Sequence, residues 1–201
     1  MLEERYALEA EKILASGVND ADLAHPVFGE GNADRPLIMF IGEAPGREEA
    51  ASGRPFVGRA GKQLDSMLAL AGIDRSKVFV TNSVKYRPTK SSGPRVSNRT
   101  PTLSEVRAGL ELLRFEIETV RPEVIATLGN IPLTAVQLLS EIKGEQLTVG
   151  MAHGMPNIAV IGGELRKLFP LYHPAAAIYN RELKPVLERD LITLGEYARS
   201  I

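Results

Sequence analysis

The 201-residue sequence predicts a three-layer α/β/α sandwich built on a mostly parallel central sheet, with residues 1–201 forming a single domain. Three observations carry that expectation. Short, continuous apolar runs recur at Leu37–Ile41, Val78–Thr81 and Val124–Leu128, the pattern of strands buried on both faces. The segments between them have helical periodicity and the length of crossover connections. No internal repeat or composition break divides the chain.

The elements follow in order. Residues 3–15 carry Tyr6, Ala10, Ile13 and Leu14 at helical spacing, with Gly17 as the expected stop, and read as a packing helix. Residues 17–36, rich in Gly, Asn, Asp and Pro, read as loop. The first strand is followed by Ile41 to Gly61, which holds three acids, three arginines, two prolines and Phe56. Strand-to-helix connections usually take about 2–6 residues, so this loop is too long to be a plain connector. A helix from about Gly61 to Ala71 leads to the second strand. Thr102 and Glu105 have capping-box spacing and open a helix with Val106, Leu110, Leu113, Ile117 and Val120 on one face. After the third strand, Gly129-Asn130 starts a helix through Leu139. Pro156–Val160 and Leu165–Leu171 read as short strands, and a last helix runs from about Glu182 to Ala198. Lys90–Ser97 is the candidate mobile loop.

Composition narrows the function. A formal net charge of −1 gives no global attraction to nucleic acid, so any such binding needs a local basic face. The absence of cysteine removes disulfides, thiol catalysis and thiolate metal sites together. His25, His153 and His173 are scattered without metal-ligand spacing, and no metal or cofactor is expected. No run approaches the roughly 18 apolar residues of a membrane span, and the start MLEERYALEAEK is no leader. A cytoplasmic monomer without membrane contact is the expectation.

Ligands of open parallel sheets bind at the carboxyl ends of the strands. Those ends here deliver Gly42–Gly46, Thr81-Asn82-Ser83, Gly129-Asn130 and Tyr172-His173-Pro174. Gly42-Glu43-Ala44-Pro45-Gly46 fits neither a dinucleotide fingerprint nor a P-loop, and no nucleophile elbow is present. Singly, each residue has an ordinary reading. Asn82 reads as a turn or cap, His173 as a surface histidine, and Phe56 as a loop anchor. Glu43, Glu48 and Glu49 read as solvated acids, and Lys85, Arg87, Lys90, Arg95 and Arg99 as a solvated basic loop. Together, a carboxamide, an imidazole and an aromatic ring beside basic residues are what stacking and reading a flat polar base require.

At this point the motifs become specific. Gly42–Gly46 with Glu49, Gly53-Arg-Pro-Phe-Val-Gly-Arg-Ala-Gly61, Val80-Thr-Asn-Ser-Val-Lys-Tyr-Arg-Pro88, Asn98-Arg-Thr-Pro101, Arg121-Pro122, Leu128-Gly129 and Tyr172-His-Pro174 with Asn180–Lys184 occur in sequence. Together they resemble the family 4 uracil-DNA glycosylases, from about Gly29 to the C-terminus. The resemblance implies a repair enzyme that flips uracil out of DNA and hydrolyses its N-glycosidic bond. Phe56 would stack on the base within a pocket formed by Gly42, Ala44, Pro45 and Gly46. Asn82 would bond the polar edge of the base, since an amide donates and accepts at once. His173 would sit near uracil O2, where negative charge develops. Glu43 would position water or stabilise the cationic sugar, and Glu49 would serve the pocket or brace its loop. Lys85, Arg87, Arg99, Ala177 and Ile178 are the DNA-contact candidates.

The chain departs from that family twice. Its usual members hold an iron–sulfur cluster on four cysteines, whereas here Tyr86 takes the third position, the fourth falls around Ala108, and the N-terminal pair is missing. After His173-Pro174, Ala175-Ala176-Ala177-Ile178 is small where bulky wedge residues are usual, leaving Ile178 and then Tyr179 as wedges. Single-stranded or mismatched uracil would then be favoured. A cluster-less binder of DNA or bases, and a glycosylase for hypoxanthine or xanthine, are the alternatives.

Overall fold

The computed structural model describes residues 1–15, 25–93, 95–142 and 144–201. The expected helix stop at Gly17, and the loop expected from 17 as far as 24, lie outside the described residues. Helix α1 (Leu2–Ala15) is followed by β1 (Glu30–Gly31) and β2 (Ile38–Gly42). Two helices, α2 (Arg47–Ser52) and α3 (Arg59–Leu70), precede β3 (Val78–Asn82), and β4 (Thr89–Ser92) and β5 (Arg95–Asn98) come next. Then follow α4 (Leu103–Val120), β6 (Val124–Leu128), α5 (Asn130–Leu139), α6 (Val149–Ala152), β7 (Asn157–Ile161), β8 (Glu164–Leu171), α7 (Ala176–Tyr179) and α8 (Leu183–Arg199).

The main sheet has the order β1-β3-β2-β6-β8-β7, in which the four inner strands run parallel and the two edge strands antiparallel. Every residue of β2, β3 and β6 is buried, which explains their unbroken apolar runs. Alternation along β2 sends Ile38 and Phe40 to one face and Met39 and Ile41 to the other. The first face packs on α3 and α8 through Leu64, Leu68, Leu187 and Leu191, the second on α4 and α5 through Leu113, Ile117, Leu133 and Val136. Two helical layers therefore enclose the sheet, as the alternating pattern predicts. At the head of α4 the capping box forms as expected: Thr102 Oγ1 accepts the Glu105 N–H, and Glu105 Oε2 accepts the Thr102 N–H at 2.7 Å.

The segment expected to be a mobile loop is instead the antiparallel hairpin β4–β5, with Lys90 opposite Ser97 and Ser92 opposite Arg95. Arg99 secures its base, donating from its backbone N–H to Pro88 O at 3.1 Å and from Nε to Thr89 O at 3.0 Å. Of the two C-terminal strands, β8 extends the parallel set beside β6, whereas β7 pairs antiparallel with β8 at the sheet edge. Chain order reverses between β2 and β6, since β3 lies on one side of β2 and β6 on the other. That reversal sets a crevice at the carboxyl ends of the inner strands, where the loops after β2, β3 and β8 meet.

Candidate active site

The long loop after β2 closes on itself around one carboxylate. Glu49 accepts the Gly46 N–H on Oε2 at 3.1 Å and the Gly58 N–H on Oε1 at 2.7 Å, joining the two ends of the loop. Between them α2 ends on Gly53 at φ 71, a left-handed turn suited to glycine. Phe56 holds φ 56, a backbone conformation costing about 1–3 kcal/mol in a non-glycine residue. The cost is borne because the Phe56 carbonyl rests on Gly61, where a β-carbon would overlap it. The ring is thereby directed over the end of β2. Gly42 leaves it room: a β-carbon there would collide with Asn82 Oδ1 and stand 2.6 Å from Phe56 Cζ.

Asn82 ends β3 opposite Gly42 in the parallel register. It is only 4% exposed, and its carboxamide has no hydrogen-bond partner among the described residues. The amide atoms open onto the cavity rather than being sealed in the core, which leaves a donor and an acceptor together for a ligand to meet. The main chain behind it is fixed. Lys85 Nζ donates to Asn82 O at 2.7 Å, to Thr81 Oγ1 at 2.6 Å and to Glu116 Oε2 at 2.7 Å. Tyr6 of α1, stacked on Phe28, gives its hydroxyl proton to Glu116 Oε1 at 2.8 Å. Burial pushes the Lys85 pKa down while the charge of Glu116 holds it up.

His173 follows β8. Its Nδ1 accepts the Ala175 N–H at 3.1 Å, which puts the proton of the neutral ring on Nε2. Burial lowers its pKa from 6.5, against the opposing charge of Glu49. The imidazole is thus a neutral N–H donor at pH 7.

Ala44, Gly46, Glu49, Phe56, Asn82 and His173 meet around one cavity of about 320 Å³. Its rim carries Arg47, Arg59, Asn98, Ile178 and the 87%-exposed Tyr179. Gly42 lies behind Phe56 and Asn82, and Pro45 is buried in the loop. Glu43 stands one residue before the cavity wall; burial raises its pKa, and a hydrogen bond from Thr100 works against that rise. Arg87 reaches the rim through Nε, which donates to Asn98 Oδ1 at 2.6 Å.

Two DNA-contact candidates, Lys85 and Ala177, are buried and need correction, while Arg99 keeps part of its side chain exposed. Lys85 is 3% exposed and spends its three donors internally, because Ser83 N and Val84 N extend the pairing with Gly42 O and Glu43 O and turn the next residue inward. Arg99 is bound to Glu105 by two 2.7 Å hydrogen bonds and serves the hairpin base. Ala177, on the inner side of α7, is packed in the core. In the other direction, Arg47 and Arg59 on the cavity wall were not foreseen. Their signal was position, since each is the first residue of a helix whose start faces the strand ends. The positions at which the resemblance implies a cluster do not fit one. The Tyr86 hydroxyl bonds Glu105 at 3.1 Å, Ala108 has no donor atom, and no cysteine exists to supply a thiolate. Among the described residues no group of His, Asp and Glu could hold a metal ion, and no helix is long and apolar enough to cross a membrane.

The family model described as "Uracil DNA glycosylase superfamily" matches residues 28–193. The type-4 uracil-DNA glycosylase of Saccharolobus solfataricus is 40% identical over 171 residues, covering 85% of this chain and 74% of that protein. Those of Archaeoglobus fulgidus and Thermotoga maritima are 38% and 40% identical, covering 85% and 82% of this chain and 80% and 79% of theirs.

Proposed function

The chain belongs to the uracil DNA glycosylase superfamily, and from that premise we propose that this glycosylase removes uracil from DNA by hydrolysing the N-glycosidic bond of a flipped nucleotide. The observation that carries the reading is the carboxamide of Asn82, which makes no hydrogen bond to another described residue and opens into the cavity lined by the Phe56 ring and His173. Uracil presents an acceptor at O4 beside a donor at N3, the pair that one carboxamide satisfies. Phe56 supplies the stacking surface that a base needs once it leaves the duplex.

In the reaction the bond between C1′ and N1 breaks, and its electron pair stays with the base. The Nε2–H of neutral His173 donates to O2 as negative charge spreads there, a contact that is stronger in the transition state than in the bound substrate. The first turn of α3, with Gly58 and Arg59 on the cavity wall, adds the positive end of a helix to the same site. Water then attacks the cationic sugar, and the proton it gives up balances the one taken up by the uracil anion, leaving an abasic site and neutral uracil. The Glu43 carboxylate orients that water or balances the sugar charge. Glu49 braces the loop through Gly46 and Gly58.

Incubation with single-stranded and G·U oligonucleotides, followed by alkaline cleavage, tests the reading; strand scission at uracil is expected. Complete absence of product from both substrates rejects it. Oligonucleotides carrying hypoxanthine or xanthine test the breadth of the pocket. The lack of cluster ligands favours a second reading, a homologue that binds DNA without cutting it. DNA bound tightly but left intact in the same assay would select that reading.

A further inference from the structure

The reaction leaves the β4–β5 hairpin unused. Residues 87–99, Arg-Pro-Thr-Lys-Ser-Ser-Gly-Pro-Arg-Val-Ser-Asn-Arg, contain four cations and no carboxylate in a chain whose net charge is −1. Strand alternation and the pairs Lys90–Ser97 and Ser92–Arg95 put Lys90, Ser92, Arg95 and Ser97 on one face. Thr89, Ser91, Val96 and Asn98 occupy the other, and Asn98 reaches the cavity rim. Lys90 and Arg95 are exposed and have no partner among the described residues. They form a diagonal cross-strand pair, with Cα atoms about 7–8 Å apart in such a register.

A two-stranded hairpin is marginal by itself. This one is anchored, since Arg99 ties its base to Thr89 and to Glu105 at the head of α4, while Arg87 ties Asn98. The result is an arm with a fixed root beside the cavity, a basic, hydroxyl-bearing face, and no apolar face packed on the core. Such a surface matches a chain of phosphates better than an acidic protein surface, because serine hydroxyls and cations together donate to phosphate oxygens.

We propose that the β4–β5 hairpin is a backbone-gripping arm whose Lys90 and Arg95 bind neighbouring phosphates of the DNA strand that carries the extruded nucleotide. The proposal rests on the glycosylase reading. It assigns to this arm affinity, without sequence preference, and no part in bond cleavage.

The test compares the wild type with Lys90→Ala/Arg95→Ala by fluorescence anisotropy on a uracil-containing single strand across a salt series. Losing two phosphate contacts lowers the steepness of log K against log salt by about 1.5 and weakens binding about ten- to thirtyfold near 0.1 M salt. Single-turnover excision at saturating DNA stays at the wild-type rate. The charge-matched control Lys77→Ala/Lys167→Ala, on the opposite sheet edge, leaves both affinity and slope unchanged. Lys90→Arg/Arg95→Lys retains affinity, which separates charge from hairpin folding. Affinity within twofold of wild type with a slope changed by less than about 0.5 in the Ala pair, or an equal loss in the control pair, overturns the arm. A wild type that excises uracil alongside an unaffected variant rejects the arm alone, whereas a wild type that neither binds nor cuts rejects the function as well.

Discussion

Asn82 is bonded firmly through its main chain and not at all through its side chain, a division expected of a residue kept for a ligand. Asn82→Ala should therefore reduce single-turnover excision about 100- to 1000-fold, the cost of removing one preorganised transition-state contact. Its thermal midpoint should stay level, because the side chain makes no hydrogen bond within the protein and faces the open cavity. A clear fall in midpoint with little loss of rate would make Asn82 a structural residue. His173 sets a second expectation through pH. Its folded pKa lies below the ordinary 6.5 because burial disfavours the charged ring, so the neutral donor persists as pH falls through 6.5. The unfolded chain takes up that proton near 6.5 and the folded chain does not. The associated stability is present above 6.5 and is lost as pH falls toward the folded value. Glu43 moves the opposite way, above 4.5, and is protonated earlier than an ordinary carboxylate. The acid limb of the rate profile should then lie above the ordinary carboxylate range, because burial raises the Glu43 pKa, and should vanish in Glu43→Gln, at a lower plateau. A limb that survives in Glu43→Gln and disappears in His173→Gln would assign it to the imidazole instead.

At the scale of elements, β3 is held from behind by a buried ion pair that joins it to α4 and α1. Lys85 and Glu116 are 2% and 0% exposed in their side chains, with Tyr6 completing the carboxylate. Removing one partner leaves a charge stranded in the core, so Lys85→Met and Glu116→Leu should each destabilise by about 3–5 kcal/mol in urea unfolding. The double variant should lose much less than the sum, since no charge is then left alone. Additive losses would show that the two act separately. This bond also explains what the sequence hid. Lys85 sits between Val84 and Tyr86 in a run that reads as a basic loop, and only the two extra backbone bonds after β3 turn it inward. The signal that was legible is Glu116, an acid on the stripe of Leu113, Ile117 and Val120, because a carboxylate buried there requires a cation. The hairpin was missed for a different reason. Apart from Thr89 and Val96 its strands are Lys, Ser, Arg and Asn, residues of little β propensity, and its base is held by the anchor from Arg99. Phe56 was legible as a residue and illegible as a conformation, since nothing local announces a positive φ that is imposed by Gly61 across the loop.

For the whole molecule, strand periodicity foretold the layers, while the strand order and the antiparallel edges depend on pairing that no single segment encodes. The convergence of loops was readable because open parallel sheets present their ligand sites at the carboxyl edge. Charge distribution works on the same scale. The formal charge of −1 supplies no long-range steering, yet Arg47, Arg59, Arg87, Lys90 and Arg95 have no carboxylate partner among the described residues and lie on the cavity wall, at its rim or on the adjoining hairpin. Cations elsewhere are often paired, as Arg5 is with Glu111, Arg54 with Glu30 and Arg75 with Asp65. DNA should therefore meet one basic edge of an otherwise balanced surface. Five phosphate contacts imply a slope of log K against log salt of about −3.5 on single strands and about −4.5 on duplex. A slope shallower than about −2 would mean that most of these side chains do not reach phosphate. One steeper than about −6 would bring in the opposite edge, where Arg35, Arg121 and Lys167 surround a separate polar cleft. Measuring the slope on both substrates also tests the small Ala175–Ile178 segment. If weak wedging limits extrusion, single strands should bind more tightly than duplex at high salt, where the electrostatic advantage of the duplex has faded.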